Sequence, residues 1–110
     1  MARLPYRAIA VSGNSMSPTY LDGDWLLFRS IELIDAKGLR PLIGKVIVIE
    51  RESHLGILLI KRIVRVDESG IWVEGDNKEA STDSRNWGAL NPAEIRGRVL
   101  LRYRRAKFNE

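Results

Sequence analysis

Four consecutive β-branched residues, Val46-Ile47-Val48-Ile49, place the firmest local constraint on this chain. Side chains that branch at Cβ lose freedom in a helix and pack well on a pleated strand. Other short apolar runs share the character: Ala8 to Val11, Trp25 to Phe28, Leu55 to Val66, Ile71 to Glu74 and Ile95 to Tyr103. Between them stand turn signals, among them Gly13-Asn14, Leu21-Asp22-Gly23-Asp24 and Asp67-Glu68-Ser69-Gly70. Helical signals are confined to Ser30 to Lys37, with Gly38 as a stop and Pro41 beyond, and to Asn91-Pro92-Ala93-Glu94. The pattern predicts a mainly β fold, a compact antiparallel barrel or pair of packed sheets with at most short helical turns.

The 110 residues suffice for one domain, spanning 1–110, and are too few for two. An apolar fraction of 45% is that of an ordinary globular protein. With no cysteine, disulfides, thiolate metal sites and cysteine catalysis are excluded. The single histidine, His54, lies in a hairpin-like turn and reads as a surface residue, so no metal and no cofactor is expected. No aliphatic run approaches the ~20 residues of a membrane helix, and the N-terminus lacks a secretory apolar core. The expectation is a soluble, cytoplasmic domain with no membrane segment. The net charge of +4 is concentrated in Arg96, Arg98, Arg102, Arg104, Arg105 and Lys107. Such an end reads first as a solvated strand face; a small basic β-barrel that binds nucleic acid is the alternative from another class. The chain lacks a ladder of aromatics for base stacking, so nucleic acid is not the expected partner.

Three polar islands interrupt the strands. Ser12-Gly13-Asn14-Ser15-Met16-Ser17-Pro18-Thr19 can present the Ser15 hydroxyl on a tight turn, with glycine and asparagine permitting positive φ and Pro18 stiffening the exit. The second island is Lys61, within Leu58-Leu59-Ile60-Lys61-Arg62-Ile63-Val64. Period-two alternation puts Leu59, Lys61 and Ile63 on one face and Ile60, Arg62 and Val64 on the other. A lysine desolvated among aliphatics has a lowered pKa and can act as a general base. From the strand alone, an exposed lysine on an edge is the commoner outcome. The third island runs from Gly75 to Gly88 and could be a structural loop pinned by Asp76 or Asp83 pairing with Arg85.

Together these islands resemble the type I signal peptidase family of Ser–Lys proteases. The Ser15 segment is similar to that family's Ser-Met-x-Pro-Thr box, Gly23-Asp24 before an apolar strand to the next box, and Lys61-Arg62-Ile63-Val64 to the Lys-Arg box. Gly75-Asp76-Asn77, Ser81, Asp83-Ser84-Arg85 and Gly88 match the Gly-Asp-Asn…Ser-x-Asp-Ser-Arg…Gly box nearly position for position. The resemblance spans roughly residues 8 to 103 and implies a signal peptidase catalytic-core fold. It also implies roles: Ser15 as nucleophile, flanked by Met16, Lys61 as its general base, and Ser81 orienting the lysine amine. Asp76, Asp83 and Arg85 would brace the loop, and the Ser15 N–H would form part of the oxyanion hole. Gly13 stands where some members place a second hydroxyl donor. Ile43-Gly44-Lys45-Val46 stands where a Gly-Asp-Val-Val turn is usual, so that carboxylate is missing. The family's membrane anchors and most of its accessory β-domain are expected to be absent.

The short length and several local sequences resemble one soluble branch, the maturation proteases of nickel-containing superoxide dismutase. They are Gly23-Asp24-Trp25-Leu26-Leu27, Trp72-Val73-Glu74-Gly75-Asp76-Asn77 and Gly97-Arg98-Val99-Leu100-Leu101-Arg102-Tyr103. The implied partner is a dismutase precursor bearing an N-terminal propeptide, with nickel the substrate's metal rather than this chain's. General processing of exported precursors, in the manner of signal peptidase I, is the alternative enzymatic expectation.

Overall fold

The computed structural model describes residues 5–32 and 35–107. Its strands are β1 (Tyr6–Ala10), β2 (Trp25–Ser30), β3 (Val46–Glu50), β4 (Leu58–Asp67), β5 (Gly70–Glu74) and β6 (Ile95–Arg104). All six join one sheet in the order β1-β2-β6-β3-β4-β5, and every neighbouring pair is antiparallel. Among the described residues, helical structure is limited to one four-residue helix, α1 (Ser84–Trp87), and three 3₁₀ turns. The expected mainly antiparallel β fold with short helical turns is the fold observed.

The β-branched run of β3 is apolar without alternation because both faces of the sheet are covered there. Ile47 and Ile49 enter one core with Leu39, Ile63, Ile71, Val73, Leu90 and Ile95. Val46 and Val48 enter the other, with Met16, Leu26, Phe28, Ile60 and Val99. The two pairs point to opposite sides of the sheet, as the period of two requires. Register shifts within the β2–β6, β3–β6 and β4–β5 pairs bend the strands, as bulges do.

Central β6 takes β2 along one side and β3 along the other, and both meet at Gly97, which lies opposite Ser30 and Val48. A Cβ at Gly97 would run into the Phe28 ring and stand 2.9 Å from the Arg29 carbonyl oxygen. That close approach requires glycine.

One local expectation needs correction. The signals between Ser30 and Lys37 do not end in a helix stopped at Gly38; a 3₁₀ turn instead covers Lys37–Leu42, with Gly38 and Pro41 inside it. Residues 33 and 34 of the expected helix lie outside the described residues. Asp35 Oδ1 accepts the Gly38 N–H at 2.8 Å, and the turn starts at the end of the expected segment rather than within it. Leu39, fully buried, anchors this turn in the core, and proline is harmless in so short a helix.

Because Gly97 is pressed by β2, Gly97→Val should lower stability by about 1–3 kcal/mol through overpacking. Urea unfolding measures this; an unchanged midpoint would show that β2 can move off β6 at no cost.

Candidate active site

The turn bearing Ser15 is fastened at its base before its tip is formed. Val11 N–H donates to the Asp24 carbonyl, and the Val11 carbonyl accepts in return from Gly23 N–H, each at 2.8 Å. Gly13, at φ +84°, bends the chain outward, and its N–H is held by Asp22 Oδ1 at 2.8 Å. Ser17 N–H closes the turn on the Asn14 carbonyl, and the chain leaves through a cis Ser17–Pro18 bond. Met16 is wholly buried in the second core, while Ser15 beside it stays half-buried. Among the described residues, neither the Ser15 hydroxyl nor its N–H has a hydrogen-bond partner.

Lys61 sits on β4 opposite Ile47 of β3 and is only 3% exposed. It is therefore not the exposed edge charge that the strand alone favoured. Its Nζ donates to Ser81 Oγ at 3.1 Å, and Ser81 Oγ donates to Asp83 Oδ2 at 2.5 Å. Ser81 has one proton, and the carboxylate takes it, so toward Lys61 the hydroxyl can only accept. Burial pushes the Lys61 amine below its ordinary pKa; the Asp83 carboxylate opposes this and the Arg85 cation adds to it.

Asp83 is fully buried and richly bonded. It receives the Gly75 N–H at 2.9 Å, the Arg85 N–H at 3.1 Å, and the Arg85 guanidinium at 3.0 and 2.7 Å. Burial alone would raise its pKa, but the bonds from Arg85, Ser81 and the two N–H groups together hold it far below the usual carboxylate range. Asp83 also caps α1, sharing a reciprocal capping box with Asn86. Ser84 is buried too, its Oγ accepting the Val73 N–H from β5 at 2.9 Å.

The same loop reaches the serine turn. Asn77 N–H donates to the Ser15 carbonyl at 2.8 Å, and Asn77 Nδ2 to the Asn14 carbonyl at 3.1 Å. Asp76 accepts from Thr19 Oγ1 at 2.5 Å and from Arg62 Nε and Nη2 at 2.8 and 2.7 Å. Arg62 also donates to the Gly44 carbonyl at 2.7 Å. Asp76 thus pairs with Arg62, while Arg85 takes Asp83. Between the two halves stands Gly75, where an added Cβ would lie 2.6 Å from the Ser15 carbonyl oxygen and 2.7 Å from Ser81 Cβ. The structure brings Ser15 and Ser81 to either side of a bare backbone. No direct hydrogen bond joins Ser15 to Lys61 among the described residues.

Among the participants given no role from sequence are Thr19, Arg62 and Asp24. Arg62 was the legible one, since it alternates with Lys61 and must face the opposite side, where Asp76 is found. Asp24 is 1% exposed and holds Leu21 N–H, Ala106 N–H and Arg102 Nη1. It fixes the turn beneath the serine segment to the end of β6. Part of the basic C-terminal run is consumed in this way, with Arg102 on Asp24 at 3.1 Å and Arg96 on Glu50 at 3.2 Å.

A groove of about 190 Å³ opens beside Ser15, between the end of β1 and the start of β4, lined by Ile9, Val11, Met16, Leu58 and Ile60 among others. Residues 3–100 match a family described as Peptidase S24-like. The chain belongs to that family. This Peptidase S24-like chain is 37% identical over 111 residues to mitochondrial inner membrane protease subunit 1 of Xenopus tropicalis, covering 86% of this chain and 66% of that protein. It is 46% identical over 39 residues to mitochondrial ATP-independent inner membrane protease subunit 1a of Arabidopsis thaliana, covering 36% and 23%. The chain therefore spans slightly less than two thirds of the frog protein's length. These likenesses support a signal-peptidase-like protease. Among the described residues, no helix is long and apolar enough to cross a membrane.

The depressed pKa of Asp83 sets a stability prediction. Its ionised form contributes stability above the ordinary value of 3.8, and that contribution is lost as pH falls through the lower folded value. Asp83→Asn should be less stable at neutral pH by about 1–3 kcal/mol, with the deficit shrinking below pH 3.8. Denaturation of both proteins across acid pH checks it; a deficit that stays constant would refute the titration argument.

Proposed function

We propose that this chain is a Ser–Lys endopeptidase that removes an N-terminal extension from a precursor protein, acting in the cytoplasm on nickel-type superoxide dismutase. The observation that carries the protease reading is the buried Lys61 amine pinned by Ser81, a serine with only the bare Gly75 between it and the Ser15 carbonyl. Family membership supports it independently. The choice of precursor rests on the local sequences shared with the dismutase maturation branch.

Desolvation leaves Lys61 with a proton-accepting neutral form at lower pH than an exposed lysine would have. That amine takes the Ser15 proton as Oγ attacks the scissile carbonyl, and the developing oxyanion is met by the Ser15 N–H, a contact typically worth about 3 kcal/mol. The C–N bond breaks, the proton passes from Lys61 to the leaving nitrogen, and an acyl-enzyme remains. Lys61 then activates the water that hydrolyses it. Extended substrate would lie along the groove between β1 and β4, adding main-chain pairing beside the serine segment. This chemistry asks no metal or cofactor of the chain.

A second reading, processing of exported or membrane-delivered precursors in general, is favoured by the likeness to the inner membrane protease subunits. Incubation with a dismutase precursor and with generic exported precursors, followed by mass measurement of the new N-termini, separates the two. Cleavage confined to the dismutase precursor supports the first reading, and cleavage confined to exported precursors the second.

Ser15→Ala and Lys61→Ala should each abolish cleavage while preserving the β circular dichroism spectrum; normal turnover by either variant sinks the dyad. The wild-type rate should rise with pH as Lys61 loses its proton and level off below the ordinary ammonium value of 10.5. A flat profile from neutral to alkaline pH would count against a lysine base.

A further inference from the structure

A second cavity, of about 250 Å³, lies on the other side of the start of β4. Its walls are Arg51 and His54 from the β3–β4 turn, Ile57 and Leu59, and Thr82 and Trp87 from the loop and α1. None of these residues has a part in the chemistry above. The Trp87 ring packs against the first core, and the Arg51 guanidinium covers it with its central carbon 4.3 Å from the ring centroid. Glu94 Oε2, 3.7 Å from Arg51 Nε, steadies that cation in turn. The aromatic wall is thus held in place with the cavity open, the kind of preorganisation that lowers the cost of binding.

The position of the cavity says what enters it. It shares Ile57 and Leu59 with the groove beside Ser15. Leu59 precedes Lys61 by two positions on the same strand face, and Thr82 directly follows Ser81. In acyl transfer the carbonyl carbon bonds Ser15 Oγ as its C–N bond breaks, and the proton taken from Ser15 is delivered by Lys61 to the leaving nitrogen. That nitrogen must come to the Lys61 amine. The residues that follow it leave on the side of Lys61 and Ser81, while the acyl half stays in the groove with Ser15. Ile57, 53% exposed, is an aliphatic side chain left in water at the partition between the two cavities. Contact with substrate would cover it from both sides.

We infer that this cavity is a specificity site for the released half of the substrate, taking a large apolar side chain of the leucine or phenylalanine kind from one of its first two residues. This rests on the protease reading for its orientation. The apolar walls of Leu59, Ile57 and Trp87 favour an apolar side chain, and the Arg51 guanidinium at the rim is already engaged with Glu94 and the Trp87 ring.

The test uses peptides with a fixed acyl half and alanine, leucine, phenylalanine or aspartate at each of the first two leaving-side positions. With wild-type protein, kcat/KM should be at least tenfold higher for leucine or phenylalanine than for alanine at one of them, and lowest for aspartate. Trp87→Ala should bring the leucine-to-alanine ratio close to one. In parallel, the product peptides alone are titrated into the protein while the Trp87 indole N–H resonance is followed. It should move with leucine or phenylalanine and stay still with alanine. Equal cleavage of all peptides, or an indole signal indifferent to the leucine product, overturns the site while the protease reading stands. An indole signal that responds to leucine in a protein that cuts none of the peptides supports the cavity and rejects the protease reading.

Discussion

A buried carboxylate must collect enough hydrogen bonds to stay ionised, and Asp83 does so by drawing together four stretches of backbone and side chain. It fixes the Gly75 N–H at the end of β5, the Ser81 hydroxyl, the first turn of α1 and the Arg85 guanidinium. Each donor satisfies a charge that would otherwise be costly to bury. The result is a loop with little freedom. From that rigidity follow the orientation of Ser81, the single direction in which its hydrogen bond to Lys61 can run, and the seat of the lysine amine.

The loop from Gly75 to Arg85 serves two faces of one strand. On β4, Lys61 and Arg62 are adjacent and therefore point oppositely. Lys61 is met by Ser81 and Asp83, whereas Arg62 is met by Asp76. Two carboxylates seven positions apart divide the work. One sits near a cation that burial drives toward neutrality, and the other anchors a cation that stays charged. Asp76 carries the Thr19 hydroxyl as well, so the same ion pair that secures the loop also secures the serine turn.

Much of this was legible in the sequence because it rests on periodicity and on a dense polar motif. The β-branched run, the turn tetrads and the alternation around Lys61 are local, and local rules decide them. The two ends of the Gly75–Gly88 box could be matched by pattern. What could not be read was partner choice. Either Asp76 or Asp83 could have taken Arg85, and only the three-dimensional path of the loop gives Arg62 to one and Arg85 to the other. Nor was the burial of Lys61 decided by its strand, since that depends on which element covers the strand's end. Over the described residues the helical turn begins only after Asp35, whose side chain accepts the Gly38 N–H, so the weak preferences that follow Ser30 did not locate it.

Gly75 has a consequence for when the site comes into being. The serine turn precedes its supports, which lie beyond residue 75, and the bonds between them span 57 to 63 positions of sequence. Central β6, which separates β2 from β3 in the sheet, is made later still. No fragment emerging early in synthesis contains both halves, and no local segment can rehearse their meeting. Contacts of such long range form only as the whole topology closes. Competence is therefore a property of the finished sheet, and an unfinished chain carries its serine without the means to use it.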